Sequence, residues 1–159
     1  MLPIDFVNDI PGSTTLLSTI QKSFLPFFNT KEACTLRLVS KEFNDTIKEY
    51  HWNDTKTCIT GRLKKWRVCF PNAVAANISN NRNIHDGEFV HLRGIHTLDM
   101  WECDQITDAA FVHLRGIHTL SIFYCRQITD AAFVHLRGIH TLNIEWCSKI
   151  TNAAKNILR

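Results

Sequence analysis

The sequence predicts an α/β fold: a three-helix N-terminal segment, then a short right-handed solenoid with parallel strands on its concave side and short helices on its convex side. Three observations carry this. The string FVHLRGIHTL occurs three times unchanged, at 89–98, 111–120 and 133–142, a fixed 22-residue period of the kind that marks stacked supersecondary units. Each unit pairs a stretch of period-two alternation, as in a half-buried strand, with a short helix-compatible run. The first 52 residues lack the period and carry apolar runs at helical spacing instead.

With 45% hydrophobic and 21% charged residues, the 159-residue chain is too apolar to stay disordered. Its net charge of +3 does not by itself call for nucleic acid. No run approaches the roughly 18 consecutive apolar residues of a membrane span. The start, MLPIDFVNDIPGS, lacks the basic region and apolar core of a secretory signal. The six cysteines form no CxxC pair, which removes the usual zinc spacing. Cys103, Cys125 and Cys147 recur every 22 residues, so they mark a repeat position and not a disulfide framework. A reducing compartment, the cytosol or nucleus, is expected.

In chain order, residues 1–52 form the helical segment. Leu16, Leu17, Ile20 and Phe24 are spaced for one helix, which Pro26 ends or bends. Asn29 and Glu32 offer a capping box for a second. Ser40 can cap a third, on which Phe43, Ile47 and Tyr50 share a face. Residues 53–66 read as a short strand and then a basic helix. Their composition is not that of a Pro/Gly/Ser linker and predicts a packed joint. The cluster Arg62, Lys64, Lys65 and Arg67 reads as a solvated helix face.

Residues 67–159 form the repeat array, each copy reading IxxLxLxxCxxIT with Met or Ile at one Leu. Ile95, Leu98, Met100, Cys103 and Ile106 fill the slots in one copy. A degenerate earlier copy keeps the register with Ala73, Ala76, Ile78, Asn81 and Ile84. The Cys or Asn slot points into the turn after the strand, where it can meet loop amides. Thr107 and Asp108, Thr129 and Asp130, and Thr151 and Asn152 are helix N-terminus signals. The helix runs through DAAFVHLR, with Phe111, Val112 and Leu114 turned inward. Gly94, Gly116 and Gly138 follow, where a left-handed terminal residue is wanted.

These slots, with C-x-x-I-T-D at 103–108 and 125–130, resemble the cysteine-containing subclass of leucine-rich repeats. Since 22 residues is short for that subclass, the resemblance implies a brief convex helix. Upstream, Leu36-Arg37-Leu38-Val39-Ser40-Lys41-Glu42-Phe43 resembles the second half of an F-box, and Ser23-Phe24-Leu25 and Ile10-Pro11 resemble earlier parts of it. An F-box followed by such repeats is a known family arrangement. The resemblance implies a non-catalytic substrate adaptor of an SCF-type ubiquitin ligase. It places docking of a Skp-family adaptor on Pro11, Leu16, Leu17, Ile20, Phe24, Leu25, Leu38 and Val39, some of which must instead fill the helical core. The repeats would hold a protein substrate.

Substrate specificity is expected at strand positions that differ between otherwise copied units. These are Asp99 and Trp101, Ser121 and Phe123, Asn143 and Glu145, followed at the strand ends by Glu102, Tyr124 and Trp146. Trp101 beside Phe123 would make an exposed aromatic pair of the kind enriched at binding hot spots. His91, His113 and His135 recur, as do His96, His118 and His140. A straight ladder with rungs about 4.8 Å apart cannot wrap a tetrahedral ion, so no metal or cofactor is expected. No nucleophile triad, phosphate loop or carboxylate pair points to catalysis. Two other readings stay open. One is an interaction scaffold without ligase association. The other is nucleic-acid binding through the Arg62–Arg67 cluster and the Arg93, Arg115, Arg137 ladder. Asp108 and Asp130 partly offset that ladder, so neither nucleic acid nor a membrane is an expected partner.

Overall fold

The computed structural model describes residues 23–158. The repeated units build one four-stranded parallel sheet whose strands follow chain order, in a mixed α/β fold. The strands are short: β1 Ala75–Asn77, β2 Thr97–Asp99, β3 Thr119–Ser121 and β4 Thr141–Asn143. Each pairs with the next at the sequence period, so Ala76, Leu98, Leu120 and Leu142 form one cross-strand row. The degenerate first copy therefore keeps the register its sequence predicts. Leu98, Met100, Ile106, Leu120, Ile122 and Ile128 are all buried in a single apolar core.

Between strands the chain forms 3-10 helices, Asp86–Leu92, Asp108–Leu114 and Asp130–His135. Thr107 and Thr129 cap two of them, accepting from Ala109 N and Ala131 N at 3.3 and 3.2 Å. At three residues per turn, positions i and i+3 share a face. Phe111 and Leu114 are accordingly buried, while Val112 is 41% exposed. This corrects the expectation that Val112 turns inward, which assumed the wider α spacing. The glycines that follow adopt φ of +77 to +80°, as their position requires.

The Cys slot also differs from expectation. The thiols donate back to carbonyls of the preceding unit: Cys103 Sγ to Ile78 O at 3.3 Å, Cys125 Sγ to Met100 O at 3.1 Å, Cys147 Sγ to Ile122 O at 2.7 Å. Asn81, in the same slot, does more. Its amide donates to the Ile59 and Gly61 carbonyls and its oxygen accepts from Asn83 N.

On the N-terminal side, α1 is Thr30–Leu36 and α2 is Lys41–Glu49. The Asn29–Glu32 capping box is present with both bonds made, at 3.0 and 2.9 Å. Ser40 caps α2 through Phe43 N at 3.2 Å. Asp54 ties α1 to the joint, accepting from Thr30 N and Oγ1, both at 2.8 Å. Burial pushes its carboxyl up, but the bonds from Thr30 and Thr57 outweigh this and hold it below the usual range. Trp52, 1% exposed, donates to the Ile47 carbonyl and packs edge-on against Tyr50 and Phe70. Its own carbonyl accepts from Val74 N and Ala75 N, and Cys58 bridges to Asn77 in parallel. The joint is thus packed against the first strand. α3, Leu63–Cys69, follows it.

α3 is not a uniformly solvated basic face. Arg67 is half-buried and donates to the carbonyls of His91 at 2.6 Å, Ala73 at 3.0 Å, Pro71 at 3.2 Å and Arg93 at 3.3 Å. After β4, the short helix α4, Ala153–Ile157, packs against the last 3-10 helix. Among the described residues, no helix is long and apolar enough to cross a membrane.

Candidate functional site

The 3-10 helices cover one face of the sheet and leave the other open. Residues that alternate with the buried leucines point onto this open face. The first rung, Asn77 and Ser79, is buried, because Asn77 Nδ2 donates to the Thr55 carbonyl of the joint at 2.7 Å. The accessible strip therefore starts at Asp99. It carries two rows, Asp99–Ser121–Asn143 and Trp101–Phe123–Glu145, as the sequence predicts.

Trp101 is 44% exposed and meets Phe123 edge-to-face with ring centroids 5.8 Å apart. Phe123 in turn stacks on Tyr124 at 6.4 Å. Partial burial raises the Asp99 carboxyl above its usual range, against a hydrogen bond from Ser121 that lowers it. Asn143 and Glu145 are exposed, and Asn143 Oδ1 accepts from Glu145 N at 3.0 Å.

The edge of the strip is shaped by backbone that residue types do not foretell. Asn80, Glu102, Tyr124 and Trp146 all have left-handed φ, between +54 and +62°. Asn tolerates that region; Glu, Tyr and Trp do not favour it. Ladder bonds hold the first three there: Asn80 N donates to Trp101 O, Glu102 N to Phe123 O and Tyr124 N to Glu145 O, at 2.7 to 3.1 Å. A cleft of 330 Å³ beside them is lined by Glu102, Asp104, Tyr124 and Arg126, among others. Arg126 lies over the Tyr124 ring at 4.6 Å and donates to its hydroxyl at 2.6 Å. Sequence reasoning placed Tyr124 at a strand end but missed Arg126.

No family model matches the chain, and none of the curated proteins compared with it is a significant match. The site is read from its geometry.

The second set of expected contact residues divides in two. Leu25 is 1% exposed and belongs to the core, which corrects its assignment to docking. Leu38, Val39 and Phe24 are 85%, 66% and 55% exposed, and Phe27 is 82% exposed. Pro11, Leu16, Leu17 and Ile20 lie outside the described residues. His96, His118 and His140 stack face to face, with centroids 4.4 and 4.5 Å apart. Among the described residues, no three His, Cys, Asp or Glu side chains are grouped to hold a metal ion.

Proposed function

We propose that this chain is a non-catalytic substrate adaptor of an SCF-type ubiquitin ligase, with an F-box-like segment followed by a short leucine-rich-repeat solenoid. The observation that carries the reading is the exposure of Leu38 and Val39, two apolar residues of the F-box-like motif that are 85% and 66% open to solvent. Large apolar side chains left in water on a small helical segment mark a docking surface. A Skp-family adaptor is the partner that the motif implies. Docking there would leave the open face of the sheet free for a substrate and raise the local concentration of that substrate's lysines.

The chemistry of the strip suits one kind of substrate segment. Trp101, Phe123, Tyr124 and Trp146 offer aromatic surface, and Asp99, Glu102, Asp104 and Glu145 surround it with carboxylates. A short peptide with an apolar anchor and flanking lysine or arginine complements both.

The test is co-purification of the chain with a Skp-family protein, repeated with Leu38→Asp. Capture by the wild type and loss in the variant support the reading. A folded wild-type chain that fails to bind removes the ligase role and leaves an interaction scaffold. Trp101→Ala with Phe123→Ala should abolish substrate capture while leaving Skp binding intact; unchanged capture places the substrate site elsewhere.

A further inference from the structure

A second cavity lies between the start of α3 and the loop after β1. Its volume is 880 Å³, and its walls include Gly61, Arg62, Lys65, Arg82, His85 and Glu88. Arg62 is the extended residue just before α3 and Lys65 lies in its first turn, and both line the cavity. Arg82 and His85 come from the opposite wall. None of these four basic side chains has a hydrogen bond or ion pair among the described residues. The lining holds three fixed positive charges and one carboxylate, and that carboxylate is engaged: Glu88 Oε2 accepts from Leu63 N at 2.9 Å.

The walls are pinned by Asn81. Its amide holds the Ile59 and Gly61 carbonyls on one side, and its oxygen holds Asn83 N on the other. This is the one repeat slot filled by Asn where the copied units have Cys. A thiol has one weak donor and could not bind both loops. The first unit departs from the copied ones along the same wall. Arg82, His85 and Glu88 stand where the next unit has Asp104, Thr107 and Ala110. The exchange of Asp104 for Arg82 reverses a charge at the cavity.

We infer that this cavity is a binding site for a small polyanion carrying phosphate groups, held by Arg62, Lys65 and Arg82 with a ring N–H from His85. Guanidinium and ammonium groups brought together without partners repel one another, and an anion removes that repulsion while accepting their unused donors. Arg62, Lys65, Arg82 and His85 are exposed on the walls of this open cavity, where a compact ligand can reach them. A nucleic-acid strand would need positive charge continued along a groove, and Arg93, Arg115 and Arg137 line no part of this cavity.

Titration calorimetry of the full chain with pyrophosphate, at low ionic strength, tests the inference. One-to-one binding is expected, weakened about ten-fold by Arg82→Gln and by Lys65→Gln, each the loss of a charge-assisted contact. Lys64→Gln removes the same charge outside the cavity and should change affinity less than two-fold. Circular dichroism confirms that each variant is folded. Three results overturn the inference: no pyrophosphate binding, an equal loss with Lys64→Gln, or tighter binding of a single-stranded RNA that depends on Arg115 and not on Arg82.

Discussion

Thr129 is fastened to Asp108 of the preceding unit twice, through its N–H to Oδ1 at 2.7 Å and its hydroxyl to Oδ2 at 2.6 Å. The same pair of bonds joins Thr107 to Asp86 and Thr151 to Asp130. Thr107 and Thr129 thus cap their own 3-10 helices and anchor each to the one before. Asp108→Ala should cost about 2 kcal/mol in urea unfolding, since bonds to a charged acceptor are lost and a donor is orphaned. Asp108→Asn keeps an acceptor for the amide and should cost less. In the last such pair, the bonds from Thr151 hold the Asp130 carboxyl below its usual range. Its stabilisation is present above the unfolded pKa, about 4, and is lost as pH falls through the lower folded value. Asp130→Asn should flatten stability in that acid window; an unchanged acid limb would dismiss the ladder as a source of it.

Arg67 is the corresponding clamp where α3 meets the array. Its four backbone acceptors come from the Pro71–Ala73 turn and from the first 3-10 helix and its end. Partial burial lowers the guanidinium pKa without neutralising it. Arg67→Ala should destabilise the chain by about 3 kcal/mol, by orphaning carbonyls and removing packing over Trp66. Arg67→Lys should recover little, because one ammonium cannot reach four acceptors in a fork. Matching melting temperatures for lysine and wild type would show that the carbonyls do not need the clamp.

Much of this was legible because it is local or copied. The glycines with positive φ and the Asn29 and Ser40 caps depend on residues within a few positions of one another, and the period, with its buried Ile and Leu slots, is read by direct comparison of near-identical copies. What escaped depends on the neighbouring unit or on backbone type. Asp108 reads as a helix-start residue until Thr129, 21 positions away, is seen to bind it. The inward turn of Val112 fails because helix type sets the face, and DAAFVHL suits an α-helix as well as the tighter one. In the open strip, Trp101 and Phe123 meet as expected because parallel pairing in register puts equivalent positions side by side. The left-handed φ of Glu102, Tyr124 and Trp146 has no signature in their residue types. Arg67, in a basic run, carries no mark that separates a clamp from a solvated side chain.

The cysteines should separate by accessibility. Cys34 and Cys58 are exposed; Cys103, Cys125 and Cys147 are buried. Contact with the Cys103 thiol and then burial push the Cys125 thiol well above the usual range, and burial raises Cys147 as well. Burial also raises Cys34. Maleimide at pH 8, read by peptide mass spectrometry, should label Cys58 first and Cys34 more slowly. The three repeat cysteines should react only after denaturation. Fast native labelling of Cys125 would contradict the packing at that slot.

The histidine stack should make stability sensitive to mild acid. Partial burial, and then the flanking His96 and His140 rings, lower the pKa of His118. A base whose folded pKa is depressed binds fewer protons folded than unfolded. Stability is therefore retained above the unfolded value of about 6.5 and falls as pH drops through it, down to the folded pKa. The melting temperature should decline over that window, and His118→Gln should reduce the decline. An equal decline in the variant would assign it to other groups.

Trp146 offers a test of whether the strip is kept for binding. It is 71% exposed and sits at φ +62°. A non-glycine residue in that region carries a penalty of order 1 kcal/mol, and an exposed side chain recovers little of it by packing. Asn80 occupies the equivalent position in the first unit at φ +58° with the residue type that tolerates it. Trp146→Asn should therefore raise stability by about 0.5 kcal/mol in urea unfolding. If the aromatic residues Trp101, Phe123 and, one position further at the strand end, Trp146 engage a partner, the same substitution should weaken capture, because the lost indole is the most exposed of the three. Gain in one assay with loss in the other is the signature of strain retained for function. Higher stability with unchanged capture would leave Trp146 outside the binding surface and confine that surface to Trp101 and Phe123.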